Sequence, residues 1–371
     1  MKSVLVTGGA GFIGSHLSNA LAAGGYRVRA LDNFDHLAHG PGSVAILDRE
    51  VELMRGDLRD RRHIERALVG VEAVLHLGGV VGNGESMMNI CRAVECNSLA
   101  TANLLEALIE RRDRVSRVVA ASSMAVYGEG AYACGRHGEV VASPRSLDQL
   151  RRGEWELRCP RCGEELTPMP ISEDRPLAPT SVYGITKRDQ EELVLTLGRA
   201  YAIEAVALRY LNVYGPGQAL GNPYTGVAAI FAARLLSGRR PRVFEDGNQI
   251  RDLIHVSDVV RATIAALEAP RAPGSPINVA TGRRVRVIDL ARALEQLLAP
   301  GIEPEITGEF RAGDIRHCFA DTARARALLE FEAERTLADA LPELVEWVIA
   351  QEVEEVGDAA VAELRAAGLV G

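Results

Sequence analysis

Tyr183 and Lys187 are the two residues whose types and spacing point most directly to chemistry. They lie four residues apart at the start of a helix-compatible segment, so their side chains share one face of the helix, one turn apart. An ammonium group beside a phenol stabilises the phenolate, which lowers the pKa of the tyrosine from about 10 and lets it take a proton from a substrate hydroxyl. A Tyr-x-x-x-Lys pair also arises by chance, so it needs support from the rest of the chain.

Lysine usage singles out the same position. The chain has 42 lysine and arginine residues, and only Lys2 and Lys187 are lysines. Arginine stands almost everywhere that a basic residue is used, and the one interior lysine is the one paired with a tyrosine. A compact ammonium at that position has a role that a rigid guanidinium fork would not fill.

A second cluster has the spacing of metal ligands. Two residues separate Cys134 from His137, and two residues separate Cys159 from Cys162. Between the two pairs lie 21 residues. Three thiolates and one imidazole are a tetrahedral ligand set for zinc, and four protein ligands close the coordination shell. The pattern predicts a structural zinc site, with unrelated free thiols as the alternative.

A glycine-rich turn opens the chain. The apolar stretch Val4–Thr7 runs into Gly8, Gly11 and Gly14 and then into a helix-compatible segment. A strand, a glycine turn and a helix form a dinucleotide-binding crevice, in which the N–H groups and the positive dipole end of the helix face a pyrophosphate. The alternative is a glycine turn with a structural role only.

The acid at the end of the next predicted strand indicates which dinucleotide would bind. Asp32 follows Gly14 by 18 residues, where a carboxylate accepts hydrogen bonds from the adenosine ribose hydroxyls. A carboxylate repels a 2′-phosphate, and Asn33 beside it adds no positive charge, so the predicted cofactor is NAD rather than NADP. Asp57 is open to two interpretations: a cofactor contact, or the cap of a helix from Arg59 to Val69.

Composition sets limits on function. The 371 residues are 47% hydrophobic and 25% charged, with a net charge of −8. A negative chain with scattered basic residues is not expected to bind nucleic acid. The sequence shows neither a charged leader followed by an apolar core nor a run of apolar residues long enough to span a membrane. We therefore expect a cytoplasmic protein without a membrane span. Six cysteines do not make a disulfide scaffold in a chain of this size.

Apolar strands alternate with helix-compatible segments, which predicts an α/β protein with a doubly wound parallel sheet. The 59 residues between Ser123 and Tyr183 are rich in Gly, Pro and Arg from 128 to 179, and we interpret that stretch as an insertion carrying the zinc ligands. We expect a dinucleotide-binding domain at 1–215 and 251–280, and a smaller α/β domain at 216–250 and 281–371.

These motifs resemble the extended short-chain dehydrogenase/reductases, the NAD-dependent epimerase/dehydratase family. The G-x-x-G-x-x-G turn, the Ser-x-x-Val-Tyr-Gly signature starting at Ser123 and the Tyr183/Lys187 pair occur in that family's order. The resemblance implies a Rossmann fold, with Ser123, Tyr183 and Lys187 as the catalytic residues. Cys91, Cys96 and Cys318 lack partners and are expected to be small core residues.

The resemblance also implies contacts residue by residue. The implied NAD contacts are Gly8, Gly11, Phe12, Ile13, Gly14, Asp32, Asn33, Asp57, Leu58, Leu77, Gly78, Asn97, Tyr183, Lys187 and Tyr210. The implied nucleotide-sugar contacts are Ser123, Met124, Asn212, Val243, Arg251 and Arg311, within blocks at 209–216, 251–256 and 311–314 that resemble family blocks. The two arginines suit a diphosphate, because a guanidinium matches phosphate oxygens bidentately, although a single arginine is more often a solvated surface residue.

The residues after Ser123 indicate the reaction. Dehydratases of this family carry an Asp-Glu pair there, where this chain has Met124 and Ala125. The resemblance therefore implies a nucleotide-sugar 4-epimerase, in which Tyr183 deprotonates the 4-hydroxyl, hydride passes from C4 to NAD⁺, and hydride returns to the other face of the 4-keto sugar. The insertion and the stretch from His76 to Met87 resemble the subfamily acting on dTDP-L-rhamnose more than that acting on UDP-galactose.

Two alternatives remain open at this point. A nucleotide-sugar reductase or dehydrogenase would release its changed cofactor, whereas an epimerase needs no cofactor turnover. A zinc-ribbon adaptor without activity would have no use for the Ser123, Tyr183 and Lys187 set. Relatives pair two subunits through helices at the positions of Ala100 and Gln190, which implies a homodimer.

Overall fold

The computed structural model describes residues 2–39, 47–220, 222, 226–351 and 357–371. Within them the strands are β1 Ser3–Thr7, β2 Arg27–Asp32, β3 Glu52–Arg55, β4 Ala73–His76, β5 Arg117–Ser123, β6 Ala131–Cys134, β7 Gly138–Val140, β8 Thr167–Met169, β9 Glu204–Tyr210, β10 Asn212–Tyr214, β11 Arg242–Val243, β12 Ile250–Arg251, β13 Leu253–His255, β14 Pro276–Val279, β15 Val285–Arg286, β16 Glu305–Ile306 and β17 His317–Cys318.

The helices are α1 Phe12–Ala23, α2 His36–His39, α3 Arg61–Ala67, α4 Asn83–Met88, α5 Ile90–Ala93, α6 Ala100–Ile109, α7 Leu147–Arg151, α8 Val182–Tyr201, α9 Val227–Leu236, α10 Val256–Glu268, α11 Val287–Leu298, α12 Ala323–Leu329, α13 Leu337–Ile349 and α14 Gly357–Ala366. A π-helical segment, Val94–Leu99, joins α5 to α6, and a 3₁₀ turn, Met124–Tyr127, follows β5. Among the described residues, no helix is both long and apolar enough to cross a membrane.

Seven parallel strands form the large sheet in the order β3-β2-β1-β4-β5-β9-β14. The chain winds outward from β1 to one edge, and then from β4 to the other. This is the doubly wound topology that the sequence predicts, and its order reverses between β1 and β4, where the carboxyl ends of the strands leave a crevice.

Both faces of the large sheet are covered, because successive side chains of a strand point to opposite faces. Val4 and Val6 of β1 pack in the core under α1 and α10, whereas Leu5 packs in the core under α3, α6 and α8. The strands therefore consist of nearly continuous apolar residues.

The predicted insertion leaves and rejoins the large sheet at one point. The Ala178 N–H donates to the Val126 carbonyl at 3.1 Å, and a Cβ built on Gly128 would lie 1.9 Å from the Ala178 carbonyl oxygen. Between these ends, β6 pairs antiparallel with β7 and β8. The small core of this ribbon contains Tyr132, Cys134, Val140, Ala142, Leu157, Cys159 and Leu166.

A third core lies outside the large sheet. It is formed mainly by α9, α11 and α13 with the short strand β11, all of which lie within 216–250 and 281–371. The helix α12 lies in the same range but packs differently, because Ala325 and Leu329 belong to the core of the large sheet. The division into two domains stays a prediction. Residues 221 and 223–225 of the predicted 216–250 segment lie outside the described residues.

Candidate active site

A cavity of about 430 Å³ opens at the carboxyl ends of β1, β4 and β5. Among the residues predicted to contact a dinucleotide, all except Asn97 line this cavity. Among the residues predicted to contact a nucleotide sugar, Ser123, Met124 and Asn212 line it, whereas Val243, Arg251 and Arg311 do not. The fold thus brings nearly all of the predicted dinucleotide residues, and half of the predicted nucleotide-sugar residues, together where the strand order of the sheet reverses.

The glycine turn has a different physical requirement at each position. Gly8 has a φ of +65°, in the left-handed region that favours glycine. A Cβ on Gly14 would lie 1.9 Å from the Gly8 carbonyl oxygen, so the helix could not pack on its strand. A Cβ on Gly11 would meet only that same oxygen, at 3.3 Å, so packing within the protein does not by itself require glycine at this position. Gly11 faces the cavity and caps α1 without a side-chain hydrogen bond, which leaves the helix N–H groups open to an anion.

Asp32 lies at the end of β2 with its carboxylate almost fully enclosed. One oxygen accepts from the Ala10 N–H at 3.0 Å, and the other accepts from the Phe34 N–H at 2.9 Å and lies 3.1 Å from His39 Nε2. Burial raises the pKa of Asp32, but the hydrogen bonds from His39, Phe34 and Ala10 outweigh it and hold the pKa below its usual value. Asp32 is therefore an anion at neutral pH.

Asp57 also lines the cavity and is not the helix cap. The cap of α3 is Asp60, whose side chain accepts from the Arg62 N–H at 2.9 Å. Asp57 instead accepts from the Arg59 side chain, which lowers the pKa of Asp57 to about 2, and from the Asn33 amide at 3.3 Å. The helix-cap interpretation of Asp57 is wrong, because the chain turns at Asp57 and the helix begins only at Arg61.

The predicted catalytic residues meet where β5 ends and α8 begins. Ser181 caps α8, accepting from the Gly184 N–H at 3.0 Å, and a Cβ on Gly184 would lie 2.7 Å from the Ala125 carbonyl oxygen. This close approach brings Tyr183 near Ser123, and both side chains line the cavity. The two residues are far apart along the chain but are neighbours in the fold.

The electrostatics of Tyr183 differ from the prediction. Burial raises the pKa of Tyr183, and the hydrogen bond from Ser123 opposes that shift only in part. Lys187 does not lower it, because the Lys187 Nζ donates to Gln190 Oε1 at 2.7 Å instead. Burial also lowers the pKa of Lys187 to about 8.

Gln190, which the sequence interpretation missed, starts a buried polar network under the cavity. Its amide nitrogen lies 2.8 Å from Thr101 Oγ1 and 3.1 Å from His76 Nε2, and His76 Nδ1 lies 2.8 Å from Thr7 Oγ1. Burial, together with the Lys187 charge, lowers the pKa of His76 to about 3, so the ring is neutral. The network thereby ties the ammonium to the ends of β1 and β4. The spacing of Gln190, three residues after Lys187 on one helix, is the signal that could have revealed it.

A second buried network joins α8 to the sheet. Glu191 accepts from Ser122 Oγ at 2.7 Å and from Arg209 Nε at 3.0 Å, and Arg209 also donates to the Tyr127 hydroxyl at 2.9 Å. Arg209 belongs to a block predicted for substrate recognition, but its guanidinium is enclosed by these partners. In the structure Arg209 joins α8 to β9 through Glu191, which also bonds to Ser122 of β5.

Asn97 and Val243 do not reach the cavity. Asn97 is fully buried, and its amide pairs with both backbone groups of Val80 and with Thr186. It supports the loop after β4 rather than touching the space itself. Val243 is fully buried in the core formed by α9, α11 and α13, so its side chain cannot contact a substrate in this structure.

The two arginines predicted to bind the diphosphate differ in their hydrogen-bond partners. Arg251 donates to the backbone carbonyls of Ile250, Ile315 and Arg316 at 2.8 to 3.0 Å, so much of its guanidinium is occupied. Arg311 stacks over the Phe244 ring at 4.3 Å, and within the described residues its guanidinium has no hydrogen-bond or ion-pair partner. Burial lowers the pKa of Arg311, the Asp314 carboxylate opposes that shift, and the nearby Arg251 charge adds to it. A half-buried cation of this kind is a candidate for an anionic ligand.

The predicted zinc ligands converge in the insertion. The ligand atoms of Cys134, His137, Cys159 and Cys162 all lie within 4.8 Å of one another. Cys134 Sγ is 3.6 Å from Cys162 Sγ, and His137 Nδ1 is 3.5 Å from the sulfurs of both Cys134 and Cys159. Zinc bonds of about 2.3 Å to sulfur and about 2.1 Å to nitrogen give tetrahedral edges of about 3.8 and 3.6 Å, so these three separations are close to the edges of a zinc site.

The remaining cysteines do not all behave as core residues. Cys318 is buried, as expected, but Cys91 is exposed and Cys96 is half-buried and lines the cavity. The expectation was wrong for Cys91 and Cys96 because they lie on α5 and the π-helical segment, whose outer faces are not covered within the chain.

Comparisons with known proteins identify the family of the chain. The model of the NAD-dependent epimerase/dehydratase family matches residues 4–146 and 161–280, and so omits part of the insertion. The dTDP-L-rhamnose 4-epimerase of Burkholderia thailandensis is 34% identical over 95% of this chain and 96% of its own length. A putative UDP-glucose 4-epimerase of Methanocaldococcus jannaschii is 30% identical over 93% of this chain and 98% of its own.

Solved structures show the same architecture. The UDP-N-acetylglucosamine 4-epimerase of Methanobrevibacter ruminantium, in complex with UDP-N-acetylmuramic acid, superposes with a TM-score of 0.76 at 28% identity, covering 95% of this chain and 99% of that one. The UDP-glucose 4-epimerase of Thermus thermophilus, in complex with NAD, has a TM-score of 0.74 at 27% identity, covering 94% and 100%. The chain described here therefore belongs to the NAD-dependent epimerase/dehydratase family.

Proposed function

We propose that the protein is a nucleotide-sugar 4-epimerase that uses tightly bound NAD. The observation that carries the proposal is that Ser123, Tyr183 and Lys187 line the same cavity as the glycine turn and Asp32. The relatives supply the reaction type, since several are named as 4-epimerases.

The cavity fits a dinucleotide on structural grounds. Gly11 presents an open helix N-terminus to it, and the anionic carboxylate of Asp32 stands at its far end. The carboxylate would accept ribose hydroxyls and repel a 2′-phosphate, so we infer NAD rather than NADP. When bound, NAD would accept hydride from the sugar carbon and return it.

The chain's own residues would move the proton. Tyr183 would take the proton of the 4-hydroxyl and return it, while Ser123 donates a hydrogen bond that stabilises the phenolate. The raised pKa of Tyr183 in the unliganded protein means that a nearby positive charge is needed for this step. Lys187, whose pKa of about 8 leaves it largely protonated at pH 7, would supply it once it turns from Gln190 toward the cofactor.

A nucleotide sugar would lie beyond Ser123, with Asn212 and Met124 on the cavity wall and its diphosphate toward Arg311. The unpartnered guanidinium of Arg311 supports that placement, because a phosphate would satisfy it. Among sugars, dTDP-L-rhamnose is favoured by the Burkholderia thailandensis relative, and UDP-hexoses are the alternative.

The purified protein tests the proposal when it is incubated with a panel of dTDP- and UDP-hexoses and the products are separated as C4 epimers. Interconversion without added cofactor is the expected result. A reductase would instead consume NADH in proportion to product, and a zinc-ribbon adaptor would convert nothing. Ser123→Ala provides the control, since it should lower turnover in the same reaction without changing the product.

We also propose that the insertion binds one structural zinc ion through Cys134, His137, Cys159 and Cys162. The support is the match between their sulfur and nitrogen separations and the edges of a zinc tetrahedron. Metal analysis of the purified protein should give about one zinc per chain. A folded, fully active protein free of metal would contradict the site.

A homodimer is the third proposal. Ile90, Val94, Leu99 and Ile185 are each about half exposed, and they lie on neighbouring turns of α5, the π-helical segment and α8. A second copy of the chain would cover these apolar side chains. Sedimentation equilibrium should give twice the chain mass, and Leu99→Glu should shift it toward the monomer.

A further inference from the structure

The segment from 357 to 371 holds the unpartnered arginine of the candidate diphosphate site. Arg311 lies on a short extended stretch, and residues 369–371 run antiparallel beside it, with Val370 opposite Arg311. The Phe310 N–H donates to the Gly371 carbonyl at 2.8 Å, and the Gly371 N–H returns a bond at 3.1 Å. On the other side, the Ala312 N–H donates to the Leu369 carbonyl at 2.8 Å. Three backbone hydrogen bonds thus fix the backbone on both sides of Arg311.

The same segment fixes the side chain of Arg311. Its guanidinium stacks on Phe244 at 4.3 Å, and Phe244 forms an apolar cluster with Leu364 of α14 and with Val370. All three are buried, with exposures of 9%, 5% and 5%. Without Leu364 and Val370, the ring under the guanidinium would lose its packing and its fixed position.

This cluster also reaches the cofactor side of the cavity. Met88, the last residue of α4, packs against the cluster, and α4 starts at Asn83, which lines the cavity. One small apolar cluster therefore connects Arg311 to α4, and the first residue of α4 lines the cavity.

Ion pairs attach α14 to the same part of the molecule. Arg365 pairs with Glu309, two residues before Arg311, and Glu309 also accepts from Arg242 at 2.8 Å. Asp358, in the first turn of α14, lies 2.9 Å from Arg239. These contacts set the position of the helix on the strand that precedes Arg311.

We propose that residues 357–371 are a positioning element for substrate binding: they hold Arg311 in place to bind the diphosphate of the nucleotide sugar. This inference rests on the proposed function, because it takes a nucleoside diphosphate as the ligand. The segment itself touches no substrate. It acts through the three backbone hydrogen bonds and through the Phe244 ring.

The test is a double-mutant cycle on binding of dTDP and UDP, measured by calorimetry on the full-length protein. The variants are Arg311→Ala, a chain lacking residues 369–371, and the two changes combined. Val370→Ala provides a milder second perturbation of the segment, and Glu363→Ala, an exposed residue of α14, is the matched control. Circular dichroism and epimerisation rates accompany each variant.

Arg311→Ala should weaken binding about tenfold or more, because charged hydrogen bonds to phosphate are lost. The shortened chain should weaken it about three- to tenfold, and the combined variant should bind no more weakly than Arg311→Ala alone. In turnover, KM for the nucleotide sugar should rise with kcat nearly unchanged. Glu363→Ala should behave as the unmodified protein.

Additive losses in the combined variant would overturn the inference, because the segment would then act independently of Arg311. Unchanged affinity in both the shortened chain and Val370→Ala would overturn it as well. If the unmodified protein bound neither dTDP nor UDP, the proposed function would fail first, and this outcome is distinct from a segment that has no effect on a working site.

Discussion

Replacing Lys187 by methionine should abolish activity and yet stabilise the fold near neutral pH. In the structure the ammonium of Lys187 is buried, and its one hydrogen bond is to the neutral amide of Gln190 at 2.7 Å. Burial lowers the pKa of Lys187 from 10.5 to about 8. The protein therefore keeps a charge where burial disfavours it, and methionine has nearly the same length without that charge.

The size of the effect follows from linkage. At about 1.4 kcal/mol per pH unit, the change in the pKa of Lys187 corresponds to about 3 kcal/mol of lost stability below pH 8, where the folded and unfolded chains both carry the proton. Between pH 8 and 10.5 the unfolded chain binds more protons, so the stability of the natural protein rises with pH. Removing the ammonium leaves Gln190 Oε1 without its donor, at a cost of about 1–3 kcal/mol. Lys187→Met should thus gain about 1–2 kcal/mol at pH 7.

Urea titrations at several pH values test this reasoning. The difference in free energy of unfolding between Lys187→Met and the natural protein should fall by about 2 kcal/mol from pH 7.5 to 9.5. Lys2→Met is the matched control, because Lys2 is the other lysine of the chain and is exposed. A difference that stays constant over this pH range would refute the argument, since the buried ammonium would then carry no cost.

Three further outcomes test other parts of the structure. Tyr183→Phe should bind NAD and nucleotide sugar normally but lose about 10²- to 10⁴-fold in kcat, so near-normal turnover would remove it as the base. Arg209→Leu should cost about 3–5 kcal/mol in urea unfolding, because it leaves Glu191 buried without its cation, and replacing both by leucine should cost less. Cys159→Ser should reduce the zinc content and the stability while the reaction stays a 4-epimerisation; a fully folded but inactive variant would indicate catalytic zinc instead.

The sheet and its glycine turn could be predicted because their constraints are local. Buried parallel strands consist of apolar residues whichever way the chain folds, and Gly14 is required by a contact only six residues away, at Gly8. The π-helical segment Val94–Leu99 could not be predicted in this way. Its apolar spacing is compatible with an ordinary helix, and the extra residue per turn has no local signal.

The site was predictable where a residue type carries its own chemistry. Ser123, Tyr183 and Lys187 come together as predicted, because β5 and α8 pack directly against each other. The partner of Lys187 was missed, since a glutamine has no distinctive chemistry and its hydrogen bond depends on burial. His39 was missed for a similar reason: its contact with Asp32 exists only through the fold of the loop after β2.

The arginines show the limit of inference from type and spacing. Arg209, Arg251 and Arg311 look equivalent in sequence, and each stands in a block that resembles a recognition motif. The fold gives the first a buried carboxylate, the second three backbone carbonyls and the third no partner among the described residues. Which arginine is available to a phosphate is set by tertiary partners that lie as far as 82 residues away along the chain.

The meeting of the two ends of the insertion, at Gly128 and Ala178, has a consequence for polymer entropy. A flexible connection loses only about 0.6 kcal/mol for each doubling of its length, and a connection whose ends are already hydrogen-bonded is closed independently of its contents. To the rest of the chain, the ribbon is equivalent to a short loop between Ser123 and Tyr183. The distance between Ser123 and Tyr183 is therefore independent of the length of the segment between them, and a longer or shorter ribbon could occupy this position.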